Sequence, residues 1–205
     1  MGESALASEN NSGNRKITNN WKQSVILYLH DLVYMLVVIL LLFLLFFRVI
    51  VVSGDSMYST LMDGDYLLLL SKIFYQEPQQ GDIIVASKDS YDDGAPIIKR
   101  VIATEGQIVD IDFENGIVYV DGLPMDEPYI NNLTTRAEGV LFPLFVEKGC
   151  IFVLGDNRAV SKDSRHPEIG LIDTRQVMGK AVFLILPGVD EWTKVRDFDR
   201  TGVIQ

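Results

Sequence analysis

Gln107-Ile108-Val109-Asp110-Ile111-Asp112-Phe113-Glu114-Asn115-Gly116-Ile117-Val118-Tyr119-Val120 holds two apolar runs separated by an Asn-Gly reversal. A run that alternates apolar and polar side chains places every second one on the same face of a strand. Asn and Gly tolerate the left-handed backbone angles that a tight reversal needs, so 107–113 and 117–120 read as an antiparallel hairpin. Asp121-Gly122-Leu123-Pro124 turns the chain again immediately afterwards.

The same pattern extends in both directions. Asp63-Gly64-Asp65, Gly81-Asp82, Asp93-Gly94 and Glu105-Gly106 punctuate short apolar runs at 66–70, 82–86 and 96–103, and further runs follow at 150–154 and 178–186. Residues 131–145 are the least regular and read as a surface excursion. Beyond Gly188 the tail is charged and has no second apolar span. The pattern is strand-like from residue 49 onward, and no long run at helical period appears there. The fold class is therefore mostly β, an antiparallel-sheet domain over 53–205, preceded by one N-terminal transmembrane helix.

That helix is read from residues 25–52. Between Leu32 and Phe47 the only polar side-chain group is the Tyr34 hydroxyl. At about 1.5 Å per residue, 32–52 spans about 32 Å, matching a hydrocarbon layer of about 30 Å. Arg48 can snorkel to headgroups from near the far end. A cleaved signal peptide would have a shorter apolar core and a small-x-small site behind it, which Arg48-Val49-Ile50-Val51-Val52 is not. Residues 1–24 are rich in Ser, Asn and Gly and read as a disordered cytoplasmic tail. Arg15, Lys16 and Lys22 flank the span, predicting a single-pass protein with its N-terminus in the cytoplasm and 53–205 on the extracellular side of the cell membrane.

Composition excludes several classes. With 18 basic and 28 acidic residues among 205, the net charge is −10, which argues against nucleic acid as a partner and fits a solvated acidic surface. Cys150 is the only cysteine, so no intramolecular disulfide forms, and its apolar run makes it a small core side chain. Two histidines and one cysteine without ligand spacing supply no metal site. They are also a poor supply for histidine catalysis: His30 stands at the start of the span and His166 is followed by Pro167.

Just past the span lies Ser53-Gly54-Asp55-Ser56-Met57-Tyr58-Ser59-Thr60-Leu61. A serine hydroxyl is a weak nucleophile unless a base reaches it, and with histidine scarce the natural base is lysine. Such a lysine must be neutral, whereas its reference pKa is about 10.4; burial among apolar groups lowers it. Lys99 stands out, because it lies inside the apolar run Pro96-Ile97-Ile98-Lys99-Arg100-Val101-Ile102. Lys99 and Arg100 point to opposite faces of a strand, so one can serve a site while the other does not. An edge strand turning both to solvent fits the same pattern.

These stretches, with Gly81-Asp82-Ile83-Ile84-Val85 and Gly155-Asp156-Asn157-Arg158 through Ser161-Lys162-Asp163-Ser164-Arg165, resemble in order the successive boxes of bacterial type I signal peptidases, most closely the short Gram-positive form. The resemblance covers 52–187. It implies a membrane-anchored serine endopeptidase that removes signal peptides after small-x-small sites such as Ala-x-Ala. By resemblance, Ser56 is the catalytic nucleophile and Lys99 the general base, with the Ser56 N–H as oxyanion donor. Gly155, Asp156, Ser161, Asp163 and Arg165 are supporting residues: Ser161 orients the lysine, while Asp163 and Arg165 pair and brace the loop. Val52, Met57 and Ile98 neighbour the dyad in sequence and are candidates for shallow substrate pockets, though plain core positions would look alike. No cofactor is implied. The implied partners are signal peptides of exported pre-proteins and the lipid bilayer, with the secretion translocon nearby.

Four positions depart from the family pattern. Gly54 stands where some members carry a serine hydroxyl as a second oxyanion donor, Ser59 replaces the usual proline, and Ala159-Val160 replace more polar residues. Ser59 and Ala159-Val160 remove no group the chemistry needs, while Gly54 leaves the oxyanion hole to rely more on backbone or on another group. A non-catalytic relative assisting pilus or surface-protein assembly would lack the Ser or the Lys. A self-cleaving repressor-type Ser–Lys protease would be cytosolic and carry a DNA-binding module.

Overall fold

The computed structural model describes residues 3–88, 91–189 and 194–204, with backbone alone over 3–20 and at Asp92. Two compact units result, Met1–Leu45 and Phe46–Gln205. Helix α1 (Glu3–Phe46) makes up the first. Within it, the 26 residues Trp21–Phe46 have a mean hydropathy of 2.6, long and apolar enough to cross a membrane.

Two expectations for this region change. The helix stops at Phe46 rather than at residue 52, because the next residues form β1 (Phe47–Val51), which pairs with β2 (Tyr66–Ser71); Phe47 faces Leu70 and Val51 faces Tyr66. Hydrophobicity alone does not separate the end of a span from a strand. The β-branched residues Val49, Ile50 and Val51 favour the strand, and the β2 ladder takes up their backbone hydrogen bonds. At the other end, the backbone is helical from Glu3, where disorder was expected over 1–24. Once a helix is nucleated, each further residue gains a hydrogen bond, so polar residues extend it at little cost.

The second unit is built on β1 and β2 with β3 (Ile83–Ser87), β4 (Pro96–Thr104), β5 (Ile108–Asp112), β6 (Ile117–Val120), β7 (Leu123–Pro124), β8 (Leu144–Phe145), β9 (Cys150–Leu154), β10 (Ile172–Asp173), β11 (Val177–Leu186) and β12 (Gly202–Val203). One sheet runs β1-β2-β11-β3-β4-β9-β10 with β12 on β11, and a smaller one runs β7-β6-β5-β8. Every described pairing is antiparallel. Apart from β1, the longer strands fall where the apolar runs place them. The two-residue strands β7, β8, β10 and β12 are too short to show a period in sequence.

The β5–β6 hairpin has Asp112 opposite Ile117, leaving a four-residue loop. The Asp112 carboxylate accepts the Glu114 and Asn115 N–H groups at 3.0 Å each, and Gly116 alone turns left-handed, at φ 71°. Residues 131–145 do not form a free excursion. Thr134 is fully buried, and Phe142 packs edge-on against Phe113 and Phe152 with ring centroids 5.7 and 5.9 Å away.

Beneath the first sheet lies a core of Val52, Met57, Leu61, Leu67, Leu69, Ile83, Val85, Ala181 and Leu184. A second core joins Ile102, Val109, Val118, Phe152 and Leu154, with Cys150 packed at its edge. The first of these cores seats the loop between β1 and β2.

Candidate active site

Ser56 lies in the loop that closes the β1–β2 hairpin. The neck of the loop is shut by Val52 N–H donating to Asp65 O (2.8 Å) and Gly64 N–H donating to Val52 O (2.9 Å). Inside it, Gly54 N–H donates to Asp63 Oδ1 (2.7 Å) and Met62 N–H to Asp65 Oδ2 (2.8 Å). Met57 and Leu61 are buried in the core, which leaves the Ser56 side chain at the groove. The Ser56 N–H donates to no described residue.

Lys99 is central in β4, opposite Ile84 of β3. Its Nζ is 2.7 Å from Ser56 Oγ and 2.9 Å from the Ile98 carbonyl oxygen. The residue is only 4% exposed. Burial drives its pKa down to about 8; Asp163 and Asp156 pull it upward and Arg165 pushes it down, each by less than burial does. A buried ammonium without a carboxylate partner loses hydration that neutral oxygens do not restore, so the amine form gains.

Arg100, the next residue, is equally buried and differently partnered. Its Nε and Nη2 grip Asp156 Oδ1 and Oδ2 at 2.9 and 2.7 Å, Nη1 donates to Gly81 O (2.9 Å), and the guanidinium lies 3.9 Å from the Tyr129 ring centre. Asp156 also accepts the Thr60 hydroxyl at 2.6 Å, so this ion pair reaches the nucleophile loop. Asn157 holds the same loop closer to the serine: its N–H donates to Ser56 O (3.0 Å) and its Nδ2 to Asp55 O (3.1 Å).

Gly155 is the point of closest approach. A Cβ there would collide with the Ser161 side chain and the Ser56 carbonyl. Its N–H donates to Asp163 Oδ2 (3.0 Å), and Asp163 pairs with Arg165 through Nε–Oδ1 (2.8 Å) and Nη2–Oδ2 (2.9 Å), both side chains fully buried. Arg165 further donates to the Arg158 and Ser161 carbonyls. Ser161 behaves differently from its expected role. Its hydroxyl is buried and has no hydrogen-bond partner among the described residues, and the Lys99 hydrogen bonds go to Ser56 and Ile98. His166 is occupied by its own loop, with Nδ1 accepting the Glu168 N–H at 3.2 Å.

Val52, Met57 and Ile98 line a groove of about 1120 Å³ that also contains Ser56 and Lys99; Ile50, Val85 and Met178 are among its other apolar lining residues. Val52 and Met57 are at the same time members of the core, so the wall is rigid. No group of described residues has the make-up of a metal site. Together the hydroxyl, the amine of lowered pKa, the open Ser56 N–H and an apolar groove suit acyl transfer at a carbonyl.

Sequence reasoning missed Thr60, Asn157 and the Arg158–Glu127 pair (2.6 Å) as braces. The signal was present in part, since Asp156, Asn157 and Arg158 are charged or polar residues directly after an apolar strand. Their partners, 31 to 102 positions away, are set only by the sheet.

The family model described as signal peptidase, peptidase S26, matches residues 25–186. A probable signal peptidase I-1 from Synechocystis sp. (PCC 6803) is 38% identical over 155 residues, 72% of this chain and 74% of that protein. Signal peptidase I of Bacillus licheniformis is 32% identical over 178 residues, 83% of this chain and 93% of that protein. The crystal structure of a signal peptidase I from Enterococcus faecalis V583 aligns with a TM-score of 0.43 at 30% identity, over 51% of this chain and 96% of that one. A match that runs from the apolar helix through β11 makes this chain a member of the signal peptidase family, peptidase S26.

Proposed function

We propose that this protein is a membrane-anchored serine endopeptidase that removes signal peptides from exported pre-proteins after small-x-small sites, with Ser56 as nucleophile and Lys99 as general base. The observation that carries the reading is the 2.7 Å separation of Lys99 Nζ and Ser56 Oγ at a lysine that burial has pushed toward neutrality.

In the neutral state the Lys99 lone pair accepts the Ser56 proton as Oγ bonds to the scissile carbonyl carbon. The oxyanion that forms meets the Ser56 N–H, a donor of a kind typically worth about 2.7–4 kcal/mol of barrier. Collapse breaks the C–N bond, and the Lys99 ammonium gives its proton to the departing amine. A water then attacks the ester, with Lys99 again taking the proton, and the free acid and Ser56 hydroxyl are restored. Gly54 has no side-chain donor to offer the oxyanion, and its N–H is held by Asp63.

Asn157 and Asp156 position the nucleophile loop, and the Asp163–Arg165 pair holds Gly155 against it. Val52, Met57 and Ile98 are the walls against which small side chains at −1 and −3 would rest. The Trp21–Phe46 helix anchors the chain in the cell membrane, N-terminus in the cytoplasm, which puts 53–205 outside, beside the bilayer and the translocon that delivers substrate. Purified protein in detergent is expected to cut a pre-protein after an Ala-x-Ala site, and Ser56→Ala to abolish cutting; retained cleavage in that variant would overturn the assignment.

A further inference from the structure

The C-terminal arm, 194–204, reaches the nucleophile loop through Arg200, at Asp65 and at the Thr60 carbonyl. Arg200 binds Asp65 through Nη1–Oδ1 (3.1 Å) and Nη2–Oδ2 (2.7 Å), and its Nη2 lies 3.5 Å from the Thr60 carbonyl oxygen. Asp65 is fully buried at the neck of the loop. Its two oxygens already accept Met62 N–H (2.8 Å) and Gly188 N–H (2.7 Å), and its own carbonyl closes the neck with Val52. The arm is held on β11 by β12, with Phe183 opposite Val203 and Leu184 opposite Gly202, and by Ile204 N–H donating to Val182 O (3.2 Å). Ile204 then packs on the core that seats Met57, Leu61 and Ile98.

We propose that Arg200 is a positioning residue for catalysis: by clamping Asp65 it fixes the neck of the 53–64 loop and hence the height of Ser56 against Lys99. This rests on the Ser56–Lys99 reading. The clamp acts at the loop's base, Asn157 at its tip, and the intervening Met57 and Leu61 are already seated. Releasing the base lets the loop lift away from β4, which lengthens the Ser56–Lys99 contact and admits water to Lys99. The charged groups that act on Lys99 are Asp163, Asp156 and Arg165, and none of them touches Arg200, so the clamp works through geometry alone.

The test compares full-length wild type, Arg200→Met, Arg200→Lys and Asp65→Asn in detergent on one signal-peptide substrate across pH. For Arg200→Met, kcat falls about tenfold, inside the roughly hundredfold that an ångström of misplacement costs, with KM little changed. Its acid limb moves upward toward an ordinary lysine, because Lys99 has gained water. Arg200→Lys recovers part of kcat, and Asp65→Asn resembles Arg200→Met. A merely structural role would lower the melting temperature and leave kcat per folded enzyme and the acid limb where they were; that result overturns the proposal. Should Arg200→Met not fold, Arg200→Lys and Asp65→Asn carry the same two readouts. Failure of the dyad reading is separate: it shows as undiminished cleavage by Ser56→Ala or Lys99→Met in the otherwise unaltered chain.

Discussion

Lys99 and Arg100 are consecutive cations on one strand, both almost without solvent, and they meet opposite fates. Arg100 has a carboxylate gripped by two nitrogens, a carbonyl and an aromatic face, so its charge is answered at every point. Lys99 has a hydroxyl and one carbonyl, with its nearest carboxylates acting only from a distance. The strand's alternation sends the two side chains to different neighbours, and only Lys99 is left without a carboxylate in contact. Burial alone therefore does not make a base; burial without a counter-ion does.

The difference can be broken most severely at Lys99. Lys99→Met keeps bulk and removes the proton acceptor, so cleavage should fall by about 10²–10⁴-fold, the range that general acid–base groups contribute, and a discontinuous peptide assay would read it. Arg100→Met attacks the other half. It strands the Asp156 carboxylate in the interior, and removing one partner of a buried pair costs about 3–5 kcal/mol, to be measured by denaturant unfolding. The two substitutions should thus separate, one ruining activity in a stable protein and the other ruining stability.

Stability of Lys99→Met sharpens the contrast further. Its wild-type amine has a folded pKa near 8, below the unfolded lysine value, so the unfolded chain binds more protons between those two values. Wild-type stability accordingly rises with pH through that window, and the burial penalty is at its fullest below about pH 8. Lys99→Met should melt higher than wild type at pH 7 and lose that advantage toward pH 10.5. A melting temperature lower than wild type at pH 7 would contradict the uncompensated-ammonium account. The smallest effect on cleavage is expected at Asp163, which favours the ammonium from a distance, while stranding the buried Arg165 costs stability as Arg100→Met does. Asp163→Ala should lower activity less than Lys99→Ala and shift the acid limb downward, since an anion has been removed and Arg165 left unopposed.

How far all this could be read beforehand depends on the range of each interaction. Ser56 was legible from its neighbours, and Lys99 because a charge inside Pro96–Ile102 is out of place. Period-two alternation located the long strands, and the Asn115-Gly116 reversal was visible although Asp112 widened its loop to four residues. The boundary at Phe46 was hidden, since Phe47–Val51 is as apolar as the helix before it and only the β2 ladder makes it a strand. Asn157 on the Asp55-Ser56 backbone, Thr60 on Asp156 and Arg200 on Asp65 were hidden for a different reason: each joins positions 96 to 135 residues apart, and a polar side chain does not announce its partner. Ser161 shows the converse, a residue placed by motif whose hydroxyl has no partner among the described residues.

The central claim is that Lys99 gives up its proton near pH 8, below an ordinary lysine, because it is buried with no carboxylate in contact. The most direct measurement is the pH dependence of kcat/KM on one synthetic signal-peptide substrate, wild type beside Lys99→Ala. The account predicts an acid limb near pH 8 in the wild type and no measurable cleavage in the variant. An acid limb at the ordinary lysine value, or undiminished cleavage by Lys99→Ala, would contradict it.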